Sequence, residues 1–202
     1  LNLYAEAITK MPENPGIPPL FRDIFKNAYL PYRDPETLKM FLKVIDEFVY
    51  DHSARLGDAF EYLLSVLGSQ GDAGQFRTPR HIIRMMVQLM VPQPTDTICD
   101  PSAGTCGFLV AASEEIRRTH PDSFHEKKFR EHYTTNLFTG VEFDSSMLRI
   151  GAMNMMLHGI GSEKSVPVVV GDALAADPGE RFDVVLANPP FGGKERKEVQ
   201  QN

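Results

Sequence analysis

Asp100, Glu142, Asp172 and Asn188 each stand at the end of an apolar run: TIC before the first, LFTGV before the second, VPVVVG before the third and VVLA before the fourth. After the first comes DPSAGTCGF, Asp100 to Phe108, in which Gly104 and Gly107 permit tight turning and close approach of a ligand to the backbone. This loop carries its own acid and no lysine, which suits a ligand bearing positive charge better than a pyrophosphate. The G-x-G-x-x-G of a dinucleotide site and the G-K-[ST] of a phosphate loop are both missing from it. At the fourth site the residues are Asn188-Pro189-Pro190-Phe191. Each proline fixes its own φ, lacks an N–H and pushes the residue before it towards extended geometry. The carbonyls of Asn188 and Pro189 are thereby left without regular ladder partners. A rigid edge of acceptors at a strand end can hold a group that donates hydrogen bonds.

Four strands are expected to carry these ends, at Thr97–Asp100, Leu137–Phe143, Val166–Asp172 and Phe182–Asn188. Between them lie helical stretches: GFLVAASEEIRRTH, and a second from Ser145 to about His158 with Gly159 placed to end it. Strands alternating with helices predict an α/β fold with a parallel, doubly wound, Rossmann-like sheet. In such sheets ligands bind outside the carboxyl ends of the strands, where all four polar residues fall. Upstream, Thr78 is read as an N-cap and Pro79 as the first position of a helix through RHIIRMMVQLM that stops near Pro92. The first third has helical spacing, with Leu38, Phe41, Leu42, Ile45, Phe48 and Val49 as one stripe and Phe60, Leu63, Leu64 and Leu67 as another. MPENPGIPPLFRDIF reads as irregular and GSQGDAG as a loop or linker, which divides the chain into a helical domain over 1–70 and an α/β part over 71–202.

Composition narrows the classes. With 42% hydrophobic residues in 202 the chain can bury a sizeable core, and it has no apolar run long enough to cross a membrane and no secretory signal. Two cysteines, Cys99 and Cys106, are too few for a disulfide framework or a zinc site, so no metal and a cytoplasmic setting are expected. A formal net charge of −6 is unusual for a protein that grips nucleic acid unaided. The closing stretch Lys194–Asn202 has no capping signal, and the sequence reads as part of something longer.

Among positively charged ligands, S-adenosylmethionine carries both an ammonium and a sulfonium. The ordered set GQFRTPR, DPSAGTCGFLV, GVEFD, Gly171-Asp172 and NPPF resembles the motifs of amino-group DNA methyltransferases in the arrangement that puts the cofactor half first. LGDAFEYLL (Leu56 to Leu64) together with GQFRTPR resembles, more specifically, the modification subunit of type I restriction–modification systems. The resemblance spans about Leu56 to Gly193 and implies an adenine-N6 methyltransferase sheet, incomplete here, using S-adenosylmethionine. By position, it implies that Thr78 and Pro79 touch the methionine end of the cofactor and that Asp100, Ala103, Gly104 and Gly107 form its loop. Glu142 would bind the ribose, Phe143 would lie against the cofactor adenine, and Asp172 would hydrogen-bond it. Asn188, Pro189, Pro190 and Phe191 would form the target-base site, Asn188 and Pro189 accepting from the adenine amine and Phe191 stacking on the flipped ring. Double-stranded DNA, a separate specificity subunit, a restriction subunit and a second copy of the chain are the implied partners. The loop departs from the family pattern D-P-A-C-G-T-G-G-F by having Ser102-Ala103 and by placing Cys106 at a usual glycine. A side chain there either narrows the loop or turns away from the ligand.

Plainer readings apply elsewhere. Met85, Met86, Met153, Met155 and Met156 are at helical spacing and read as core; Cys99 reads as a small buried apolar residue. His120, His125 and His132 lie in a charged stretch and read as solvent-facing, and Arg77 and Arg80 as exposed loop charges with phosphate contact as the sharper alternative. Cytosine-N4, RNA or protein-glutamine methylation, and a non-catalytic cofactor-binding or assembly module, stand as alternatives to the adenine-N6 reading.

Overall fold

Short β-branched runs flanked by amphipathic helices give a sheet with helices packed on it, and the register of that sheet decides which loops meet. A computed structural model describes residues 2–47, 53–69, 78–162, 166–175 and 179–189. The helices are α1 Asn2–Lys10, α2 Pro19–Ile24, α3 Pro35–Asp46, α4 Ser53–Ser69, α5 Arg80–Met90, α6 Gly107–Thr119, α7 Lys127–Thr135 and α8 Ser145–Leu157. The strands are β1 Ile98–Asp100, β2 Phe138–Glu142, β3 Val168–Val170 and β4 Val184–Val185.

All pairings are parallel and the sheet order is β3-β2-β1-β4. The chain therefore steps outwards from β1 through β2 to β3 and then returns to the other side of β1. That reversal, between β1 and β4, is the topological switch point at which open α/β sheets leave a crevice for ligands. Asp183 fixes the start of β4 there: its Oδ2 accepts from Thr97 N–H at 2.8 Å and from the Thr97 hydroxyl at 2.9 Å. Beyond the last paired residue, Leu186 N–H still donates to Cys99 O at 2.9 Å.

The core lies between the sheet and α5, α6, α7 and α8, with Ile98, Leu109, Ile116, Leu137, Phe138 and Met155 almost wholly buried. Each such side chain contributes about 1.5–3 kcal/mol relative to an exposed one. Ile24 of α2 joins the same core, so the proline-rich segment read as irregular contains a helical turn, with Pro19 at its start. Proline is at home there because the N–H it lacks would have no helical partner.

Further departures have local causes. The helix expected to begin at Pro79 begins at Arg80; Pro79 (ψ 138°) is itself the N-cap, its carbonyl accepting from Ile82 and Ile83, and Thr78 makes no cap bond. The charged stretch around residue 130 forms α7, because Phe129 and Tyr133 on one face pack with Phe124 and Phe138. His132 on that helix is half-buried rather than solvent-facing, with its Nε2 2.8 Å from Asp96 O. Met155 is core, whereas Met85 is half exposed, as are Ile45 and Leu63. Gly68 and Ser69, read as the start of a linker, are the last residues of α4; the rest of that linker, 70–74, lies outside the described residues, as do Phe48, Val49 and Arg77. Cys99 is buried as expected, and burial, with Asp100 beside it, pushes its thiol up to about 11.

Candidate functional site

The loop after β1 is shaped by what it must clear. Gly104 has φ +52° and Cys106 φ +60°, so the chain makes two left-handed steps before α6 starts at Gly107. Ala103 is buried, its N–H donating to Val141 O at 2.9 Å, and it fits because the facing β2 residue is Gly140. A Cβ on Gly140 would lie 3.2 Å from that of Ala103. Cys106 is fully buried and its Sγ points at α8, so the side chain turns inward rather than narrowing the loop. It has room because residue 151 is glycine: a Cβ there would stand 2.7 Å from Sγ and 2.8 Å from Gly104 O. Gly107, in turn, faces α5, where a Cβ would meet Ile83 at 3.2 Å.

Two carboxylates organise the open side. Glu142, the last residue of β2, accepts from Gly104 N–H through Oε2 at 2.7 Å and from Asp144 N–H through Oε1 at 2.8 Å. It thereby ties the loop after β1 to the turn after β2. A carboxylate has about four acceptor sites, so each oxygen can still accept a ligand hydroxyl. Asp144 caps α8, its Oδ1 accepting from Ser146 and Met147. Asp100 ends β1 and is 1% exposed, accepting from Ser102 N–H at 3.1 Å. Burial raises its carboxyl to about 7, against the lowering effect of the Ser102 hydrogen bond, and the nearby charge of Glu142 raises it further. A cation arriving beside Asp100 would supply the charge partner that burial denies it.

Phe143 follows Glu142 with its ring largely exposed, 66%. Asp172 lies two residues beyond the end of β3 and is exposed, its Oδ1 accepting from Leu174 N–H at 3.1 Å. Both strand ends come earlier than the sequence pattern suggests, at Val170 and Val185, because the polar residues leave the sheet. Gly171 N–H still donates to Glu142 O, which keeps Asp172 beside the β2 end.

Asn188, three residues beyond β4, is half-buried and its Nδ2 donates to Thr78 Oγ1 at 2.8 Å. Residues 110 positions apart thus meet at the crevice. With its NH2 engaged, the amide has a fixed orientation and its Oδ1 has no partner among the described residues. Pro189 is exposed; Pro190 and Phe191 lie outside the described residues.

Four residues here have no part in the pattern of strand ends. Asn154 of α8 is fully buried and donates through Nδ2 to Thr105 O at 2.9 Å and to Glu61 Oε1 at 3.1 Å. Glu61 of α4, 4% exposed, pairs with Arg80 Nε at 3.2 Å, and Arg80 also reaches Asp58 and Glu114. Arg80 is therefore an exposed charge held by three carboxylates. Gly151 receives the loop. The available signal in the sequence was an amide set among Met153, Met155 and Met156, and an acid set among Phe60, Leu63 and Leu64. No group of three or more potential metal ligands occurs among the described residues, and no helix among them is long and apolar enough to cross a membrane.

Comparison with known proteins gives one family. The family model described as N-6 DNA Methylase matches residues 51–202. The EcoEI methylase subunit of the type I restriction enzyme from Escherichia coli is 31% identical over 189 residues, covering 90% of this chain and 37% of the relative. A modification subunit of a type I restriction enzyme from Vibrio vulnificus YJ016 superposes with TM-score 0.70 at 29% identity, over 89% of this chain and 38% of that one. A chain from a type I R-M system superposes with TM-score 0.76 at 29% identity, over 99% of this chain and 42% of that one. The chain thus spans well under half the length of these relatives.

Proposed function

We propose, from the premise that this chain belongs to the N-6 DNA Methylase family, that it is the cofactor-binding and amine-orienting part of a DNA adenine-N6 methyltransferase subunit of a type I restriction–modification system. The single observation that carries the reading is the Thr78–Asn188 hydrogen bond at 2.8 Å, which holds the amide by its nitrogen and leaves its oxygen without a partner among the described residues.

The residues present fit S-adenosylmethionine. The buried carboxyl of Asp100 matches its ammonium, Glu142 has acceptor capacity left for ribose hydroxyls, Phe143 offers an exposed ring for an adenine face, and Asp172 an acceptor for its amine. Gly104 and Gly107 keep the loop backbone free of side chains; Thr78 and Pro79 flank the methionine end. When bound, the cofactor supplies an electrophilic methyl group.

The chain's own residues then orient the acceptor. The amine of adenine is a weak nucleophile because its lone pair is delocalised into the ring. Asn188 Oδ1 and the Pro189 carbonyl accept its two N–H groups, which favours a pyramidal nitrogen with the lone pair directed at the methyl. Thr78 holds the Asn188 amide in the required rotamer. Aimed dipoles of this kind act in the transition state and need no reorganisation. The amine proton becomes acidic once the nitrogen is methylated, so no histidine base is required before attack. Pro190 and Phe191 complete the base site, Phe191 by stacking on the flipped ring.

In this reading, 1–70 is a helical domain and 71–202 the first half of the catalytic domain. The acidic chain takes double-stranded DNA only with help: a specificity subunit, a second copy and, in the full system, a restriction subunit are its partners, in the cytoplasm. The test is transfer of labelled methyl groups to duplex DNA by the full-length protein, with and without a specificity subunit, followed by nucleoside analysis. Label in N6-methyladenine supports the reading. Label only in N4-methylcytosine, RNA or protein, or none at all, overturns it.

A further inference from the structure

The loop that turns over Gly104 directs its Thr105 carbonyl inward, where no backbone N–H among the described residues receives it. Asn154 does, at 2.9 Å, and Glu61 holds Asn154 from the far side at 3.1 Å. Both neighbours are acceptors, so the amide can present only its NH2 to them. Its Oδ1 is consequently buried with no partner among the described residues. An unsatisfied buried oxygen is unfavourable, and a position concerned with packing alone would lose nothing by carrying leucine or methionine, as its helical neighbours do. The bond to Thr105 is retained at that cost.

Glu61 continues the connection. It pairs with Arg80, the first residue of α5, and two positions earlier in the chain Thr78 holds Asn188. Thr105, Asn154, Glu61 and Arg80 therefore form one polar path, buried at Asn154 and Glu61, from the loop after β1 to the segment that orients the amide beyond β4. Two faces of the same helix side support it: Gly151 and Asn154 lie three residues apart on α8 and both receive the loop.

We infer that Asn154 and Glu61 are positioning residues, by which α4 sets the conformation of the cofactor loop. The inference rests on the reading of that loop as the S-adenosylmethionine site. Neither side chain touches the ligand; each acts through Thr105. Glu61 reaches the loop only through Asn154, so its removal has no further effect on the loop once Asn154 is gone.

The experiment is calorimetric titration of S-adenosylmethionine into the full-length protein and its variants, well below each melting temperature, with cofactor KM and kcat measured on the assembled enzyme. Asn154→Leu is expected to weaken binding about five- to tenfold, the factor for one lost hydrogen bond of ordinary strength. KM for the cofactor rises by the same factor and kcat at saturation stays within about twofold. Glu61→Leu weakens binding similarly, Glu61→Gln, which keeps an acceptor for Asn154, restores most of it, and the double leucine variant is no weaker than Asn154→Leu. If Asn154→Leu does not fold, Glu61→Leu and its rescue by Gln carry the test alone. Unchanged cofactor affinity with only a lowered melting temperature, or additive losses in the double variant, overturns the inference while leaving the methyltransferase reading intact. Absence of binding by the wild-type protein overturns both.

Discussion

Asp100→Asn separates the cost of burying an acid from the benefit it brings to a cationic ligand. The wild-type carboxyl titrates at about 7 in the folded protein against an ordinary value of 3.8. Between about pH 4 and pH 7 the native state keeps a proton that the unfolded chain has released, so stability falls as pH rises through that window and levels off above it. At about 1.36 kcal/mol per pH unit the loss reaches at most about 4 kcal/mol. Asparagine keeps an oxygen for Ser102 N–H but cannot ionise, so it removes this slope. Its second amide hydrogen needs an acceptor, which costs about 1 kcal/mol at all pH values. The variant should therefore match or fall slightly below wild type at pH 4.5 and exceed it by about 1–3 kcal/mol at pH 8. Urea melts of both proteins across that range measure the difference, in which other titrating groups cancel. S-adenosylmethionine added at pH 8 should stabilise wild type far more than the variant. Parallel stability curves from pH 4.5 to 8 would show that Asp100 is not a buried acid of raised pKa, and equal stabilisation by the cofactor would remove it from the ammonium site.

Four other outcomes are expected. Glu142→Ala should weaken cofactor binding by about 1.5–3 kcal/mol in titration calorimetry, since a charged acceptor is lost. Asn188→Ala should lower single-turnover methyl transfer by roughly 10²–10³, whereas Phe191→Ala should weaken capture of the base by about 1–3 kcal/mol; cofactor affinity should survive both. Gly151→Ala should cost about 1–3 kcal/mol in denaturant melts, and Cys106→Ala should recover part of it by removing one of the two atoms its methyl meets. Burial raises both thiols, so Cys99 and Cys106 should resist a thiol reagent at pH 8 in the native protein and react once it is unfolded.

The order of the four strands with α6 and α8, and the acids that end β1 and β2, were legible in the sequence, because a buried parallel strand needs a continuous apolar run and its end is marked where that run breaks. The helix α7, and the strand ends at Val170 and Val185, were not. Asp100 and Glu142 needed no more than this, and the glycines between them announced the loop. Backbone restriction by the two prolines after Asn188 was equally local. Contacts between distant segments were not encoded in any such pattern. Whether Cys106 fills the loop or leaves it depended on a glycine at position 151, on another helix. That Thr78 serves Asn188 rather than capping α5 depended on β4 returning to the open side of β1. His132 read as solvent-facing because it sits in a polar stretch, and only packing brought it to Asp96; Arg80 is exposed as read, and its pairing with Glu61 on another helix was beyond any local pattern. Periodicity reports which face of a segment is apolar; which polar atoms then share the interior is a property of how the segments cross. Hence the sequence alone determined the order of the strands and the loop after β1, and the tertiary structure decided the partners that hold them in place.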